Sequence, residues 1–137
     1  MDLQNTFLHL CSLLHGPWTG VVFLCIGTHH VTGEGLGPLT GTLLHRLTEG
    51  RAAVYGTLQH PLHACNLDAQ MQCIKKKHPG ALLVAIDASL GRSSSIGYIT
   101  VASDSLLPGC GMGKILPAVG HVAVTGIVGP QNGHPYR

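Results

Sequence analysis

Two segments of this chain are apolar almost without interruption and too short to be anything but buried strands. Val21-Val22-Phe23-Leu24-Cys25-Ile26 is rich in β-branched residues and ends at Gly27, and Ala81-Leu82-Leu83-Val84-Ala85-Ile86 reaches its first polar residue only at Asp87. A strand with one wet face alternates apolar and polar positions, so continuous runs imply burial on both faces, the habit of a parallel sheet. Parallel neighbours need crossover connections, and the intervening sequence supplies them. Residues 38–48 place Leu39, Leu43, Leu44 and Leu47 at helical spacing, with Pro38 in the first turn and Gly50 beyond the end. Residues 52–55 read as a short second strand. Residues 62–77 read as a second helix, with Leu62, Cys65 or Asn66, Ala69, Cys73 and Lys76 along one stripe and Pro79-Gly80 as its stop. Residues 96–102 and 122–128 are further strands, separated by a glycine-rich loop over 107–113. The order β-α-β-α-β plus two strands predicts an α/β three-layer sandwich with a largely parallel sheet. Little helix-forming sequence follows Ser89, so part of one face needs cover from the N-terminal segment or a partner chain.

The chain has 137 residues, the size of a single domain, and its 45% hydrophobic content is enough to build a core without staples. Only 10% of the residues are charged, against roughly 25% in an average soluble domain, and this leaves uncharged surface with room for a homo-oligomer contact. The net charge is +2, and the one basic run, Lys75-Lys76-Lys77, has no interleaved aromatics. Such a run suits a helix C-terminus better than a nucleic-acid surface, so no nucleic-acid partner is expected. Mean hydropathy is +0.28, yet no apolar stretch approaches the roughly 20 residues of a membrane span. Asp2 stands where a secretory signal needs a cation, so a cytoplasmic location is the expectation. Five cysteines without a Cys-x-x-Cys pair argue against a disulfide framework or zinc knuckle, and Cys25 and Cys73 read as core packing residues.

In open α/β sheets ligands bind beyond the carboxyl ends of the strands. Two of the chain's six carboxylates occupy such positions: Glu34 after the first strand and Asp87 at the end of the third. A carboxylate pair of this kind permits general acid/base chemistry, one group holding a proton while the other activates water toward a carbonyl, as in peptide hydrolysis. The same oxygens are able to hold a divalent metal with His29, His30, His63 or His121 as a third ligand; otherwise no cofactor is expected. The plain structural alternative is that Glu34 caps a helix start and Asp87 closes a turn. Adjacent His29 and His30 point to opposite sides if extended, so at most one faces the site. His63 and Asn66, near the start of the second helix, border the same edge.

Three nucleotide and nucleophile signatures fail on inspection. Gly33-x-Gly35-x-Gly37 lacks the dinucleotide spacing and carries Glu34 where a pyrophosphate would lie. Gly113-Lys114 is followed by Ile115, not by the hydroxyl residue of a phosphate loop. Ser93-Ser94-Ser95 has no Gly-x-Ser-x-Gly elbow.

Seven short motifs occur in order: Ile26-Gly27-Thr28, Gly35-Leu36-Gly37-Pro38, Val54-Tyr55-Gly56-Thr57, Pro61-x-His63-Ala64-x-Asn66-Leu67, Ala85-Ile86-Asp87-Ala88-x-Leu90-Gly91, Pro108-Gly109-x-Gly111 and Thr125-Gly126-Ile127-Val128. Over residues 22–129 the chain resembles the YyaC family of sporulation proteins, related to the spore germination protease and more distantly to the hydrogenase maturation proteases. The resemblance implies their α/β fold and a location inside a sporulating cell or spore. It also implies a peptide or protein substrate, small acid-soluble spore proteins being what germination protease degrades. The proposed catalytic aspartates of that protease fall on Glu34 and Asp87, with glutamate in place of aspartate at the first. Thr28, Gly33, Gly35, Gly37 and Lys114 would shape the site or orient the scissile carbonyl. The hydrogenase maturation proteases are similar at Gly33-Glu34-Gly35 and at Asp87, where their carboxylates bind metal, but their third ligand, a histidine on a later helix, has no counterpart here.

Overall fold

The computed structural model describes residues 12, 15–28, 35–102 and 119–130. Its elements run β1 (Val21–Cys25), α1 (Leu36–Leu47), β2 (Ala53–Tyr55), α2 (Leu67–Lys77), β3 (Leu82–Gly91), a 3-10 turn (Ser93–Ser95), β4 (Ile99–Ala102) and β5 (Val122–Pro130). The five strands form one sheet in the order β2-β1-β3-β5-β4. All neighbours are parallel except β4, which pairs antiparallel with β5 at the edge. The described chain is thus α/β with a mostly parallel sheet.

The period of two along the strands sorts the layers. Val22, Leu24 and Ile26 from the first strand region, with Leu83, Ala85 and Ala123, meet Leu67, Met71 and Ile74 of α2 in one buried cluster. The opposite face, carrying Cys25, Ile86 and Val124, takes α1. The two helices therefore lie on opposite faces, as the sequence predicts.

Their contact stripes differ from the expected ones. In α1 the buried residues are Gly37, Pro38 and Gly41, whereas Leu39, Leu43 and Leu47 are 52%, 55% and 78% exposed. A Cβ on Gly37 would collide with the Ile26 carbonyl oxygen and one on Gly41 with that of Gly56. The helix thus lies down on backbone through small residues, and its leucine stripe faces outward. Replacing Leu43 with Gln is accordingly expected to change unfolding free energy by no more than about 0.5 kcal/mol, where a core leucine would cost about 2–5 kcal/mol; urea denaturation reads the difference.

In α2 the stripe is Leu67, Met71 and Ile74, and Cys73 is exposed, not packed in the core. The helix begins at Leu67, not at residue 62, because Leu62 is taken by a parallel bridge to Ile26. Among the described residues each face carries one helix, and neither helix covers the whole β3-β5-β4 side. Leu36, Ile86, Tyr98, Ile99, Val124 and Val128 line an apolar groove of about 320 Å³ beside α1.

Cys25 is fully buried, as expected, and burial pushes its thiol from 9.0 up to about 12. An acid whose pKa is raised on folding favours the folded state only while protonated. Stability from this group is therefore intact below pH 9 and falls as pH climbs from 9 toward 12. At pH 8 iodoacetamide is expected to label the exposed Cys65 and Cys73 and to spare Cys25 until the chain is denatured, as peptide mapping would show.

Candidate functional site

β1 sends its crossover to β2 on one side, while β3 is flanked on the other side by β5. The C-terminal ends of β1 and β3 thus form a topological switch point, the usual crevice of such sheets. Asp87 sits there. The β1-β3 ladder ends with Cys25 opposite Ile86, followed by the Ile26 N–H donating to the Ile86 carbonyl at 2.8 Å. Asp87 is therefore the first residue of β3 beyond the end of β1. It does not end its own strand, as the sequence suggests, because β3 continues to Gly91 against β5, with Asp87 opposite Thr125.

Asp87 is only 7% exposed and is the one buried charged side chain among the described residues. Its Oδ1 accepts the Ala88 N–H at 2.7 Å. It shares register parity with Leu83 and Ala85, and so departs from β3 on the α2 face. Thr125, its neighbour across the ladder, shares a hydroxyl hydrogen bond with Thr100 of β4. A buried carboxylate at a switch point is costly to keep unless it is held by donors or used in chemistry.

Glu34, Gly33 and Lys114 lie outside the described residues, as do His29 and His30. The chain next to Glu34 is described. Gly35 precedes α1, and Leu36 packs so closely on Gly126 that a Cβ there would lie 2.5 Å from Leu36 Cδ2. Gly126 pairs with Ala88. The start of α1 is thereby seated over β5 on the face opposite the Asp87 side chain, one position along the ladder, and Gly37 holds it against the end of β1. Thr28 is half-buried just beyond β1, after Gly27 donates its N–H to Leu62 O at 2.9 Å.

His63 and Asn66 flank the same strand end through Leu62. Asn66 is occupied in building its loop: Oδ1 accepts the His63 N–H at 2.8 Å and Nδ2 donates to Pro61 O at 2.9 Å. His63 Nδ1 accepts the Cys65 N–H at 3.2 Å, which leaves the neutral ring its proton on Nε2. His121 is at the other end of the sheet, before β5, where Nδ1 accepts the Leu83 N–H at 3.0 Å and the ring packs 4.7 Å from Trp18. It is no ligand partner for Asp87. No cluster of three His, Cys, Asp or Glu able to hold a metal occurs among the described residues.

Sequence reasoning missed a second concavity. Beyond β2, His45 of α1, Tyr55, Gly56 and Thr57, the 59–63 loop, and Asn66 and Gln70 of α2 line an open groove of about 730 Å³. It draws on three elements brought together only by folding; the crowding of His60 and His63 near a strand end was its sole trace.

Residues 2–136 match a family described as a protein of unknown function, DUF1256. The chain belongs to the DUF1256 family. A DUF1256 relative, the uncharacterized protein YyaC of Bacillus subtilis (strain 168), is 43% identical over 117 residues, 85% of this chain. That match covers 57% of YyaC, so the chain spans little more than half the length of the curated relative. No solved structure matches the chain. No helix among the described residues is long and apolar enough to cross a membrane.

Proposed function

We propose that this chain is a peptide hydrolase with the fold and carboxylate pair of the germination proteases, in which Glu34 and Asp87 share one proton across the switch-point crevice. The ionised carboxylate takes a proton from water as the water oxygen attacks the peptide carbonyl carbon; the protonated partner gives its hydrogen to the carbonyl oxygen. Collapse of the tetrahedral intermediate breaks the C–N bond, with the proton delivered to the leaving nitrogen. The observation that carries this reading is the burial of Asp87 where β1 has ended and β3 continues. The reading requires Glu34, which precedes α1 on one face of the sheet, to reach across the strand ends to Asp87 on the other. His63, beside the same strand end, presents Nε2–H as a donor for the scissile carbonyl.

The test is digestion of small acid-soluble spore proteins and a random peptide library by the wild type, Glu34→Gln and Asp87→Asn, each with and without chelator. Cleavage that both substitutions abolish and chelator leaves alone supports the carboxylate pair, and loss with chelator replaces it with metal-dependent hydrolysis. A second reading, a binding module of the same fold, is favoured by the outward Leu39, Leu43 and Leu47 and the adjoining apolar groove. Folded wild-type protein that cleaves nothing would select it.

A further inference from the structure

We infer that the groove along β2 is a docking site for an extended peptide segment carrying carboxylate side chains, which adds to the sheet as a strand beside β2. Among the described residues β2 is the edge of the sheet and pairs only with β1. In a parallel ladder the residues of a strand alternate in which side their N–H and C=O groups face, so β2 turns backbone donors and acceptors outward as well as toward β1. An open edge of this kind is a template for a further strand.

The edge does not lie bare on the surface. Because α1 and α2 cover opposite faces, a groove lined by His45 of α1 and Gln70 of α2 must straddle the edge, with β2 as its floor. One end is closed by the 56–63 loop, which is tied to every neighbouring element. The Leu58 N–H donates to Thr42 Oγ1 of α1 at 3.0 Å, Leu62 bridges Ile26, and Asn66 clasps Pro61 and His63. Gly56, with φ +93°, abuts the Cys25 carbonyl, and a side chain there would drive the loop off β1. The groove is thus built before any ligand arrives, which lowers the ordering cost of binding.

Its walls favour one charge. Imidazoles from His45, His60 and His63 and amides from Gln59 and Gln70 face it, and among the described residues no carboxylate lines it. Since Leu62 and His63 also adjoin the end of β1, a strand laid along β2 would run toward the crevice that holds Asp87. This deepens the hydrolase reading and rests on it for the fate of the peptide, while docking itself is measurable apart from cleavage.

The experiment uses fluorescein-labelled hexapeptides alternating valine with aspartate or with lysine, bound to Asp87→Asn protein and followed by anisotropy. The aspartate peptide is expected to bind at least tenfold more tightly than the lysine peptide. N-methylating alternate residues should abolish binding in one of the two possible sets and spare it in the other, the signature of strand pairing. Gln70→Trp and Gln59→Trp, at exposed positions in the groove, should each weaken binding tenfold or more without shifting the melting temperature. Equal binding of both N-methylated sets, of both charge types, or to both tryptophan variants would overturn the inference. Wild type that cleaves the peptide while both tryptophan variants cleave it equally well also overturns it and leaves the hydrolase standing. Tight, groove-dependent binding without cleavage does the reverse.

Discussion

Substituting Gly41 with alanine is expected to destabilise the protein by about 3 kcal/mol and lower its melting temperature by about 10 °C, although alanine is the better helix former. In an exposed helix interior the change would gain about 0.5–1 kcal/mol from reduced chain entropy. At Gly41 the added Cβ would collide with the Gly56 carbonyl oxygen and come within 3.2 Å of Cys25 Cβ. Neither neighbour is the movable end of a side chain. Relief requires lifting α1 from β1 or pushing the 56–63 loop outward, and the latter also strains the Leu58 to Thr42 hydrogen bond. The clash therefore outweighs the propensity, and the sign of the effect decides the matter. Gly20→Ala, where nothing lies within 4 Å, is the control and should be close to neutral. A stabilised Gly41→Ala protein would mean that α1 does not rest on the sheet through its glycines.

That same contact explains what hydropathy conveys about this chain and what it does not. β1 and β3 were legible because burial on both faces leaves an uninterrupted apolar run, and the positions of α1 and β5 followed from periodicity and glycine stops. The orientation of α1 was hidden because its buried stripe, Gly37, Pro38 and Gly41, carries almost no hydropathy, whereas the outward Leu39, Leu43 and Leu47 carry a great deal. The informative pattern was two glycines four residues apart, which permits backbone approach. The start of α2 was placed early because Leu62 is apolar; it is apolar for the sheet, as the partner of Ile26. Pro61 and Asn66 were the local marks of a loop that ends at a helix start. Asp87 stood out as the polar residue after an apolar run, but the unequal reach of β1 and β5 along β3 is a tertiary fact that no run length encodes. The β2 groove was illegible for the same reason, since its walls are separated by up to 25 positions between His45 and Gln70.

Asp87→Asn is expected to lower kcat for peptide cleavage by about 10²–10⁴-fold while leaving the melting temperature nearly unchanged. The two halves of this expectation come from the same geometry. Asparagine retains the Oδ1 that accepts the Ala88 N–H at 2.7 Å, and it fits the volume of the buried site, so the strand and its ladder to Thr125 persist. What it loses is the capacity to hold or take up a proton, on which the water-activating step depends. Asp87→Leu provides the contrast: it removes the acceptor as well, orphans the Ala88 N–H, and should destabilise the fold by about 1–3 kcal/mol on top of the activity loss. Glu34→Gln should match Asp87→Asn in kcat, and the double variant should be little worse than either, because groups that share one proton act as a unit and their losses do not add. A full tenfold or more of extra loss in the double variant would mean two independent roles. The pH profile separates catalysis from scaffolding: the wild type should show a bell, and each single variant should lose one of its limbs, which a merely structural carboxylate would not cause. Undiminished cleavage by a folded Asp87→Asn protein would remove Asp87 from the chemistry, and with it the carboxylate-pair hydrolase.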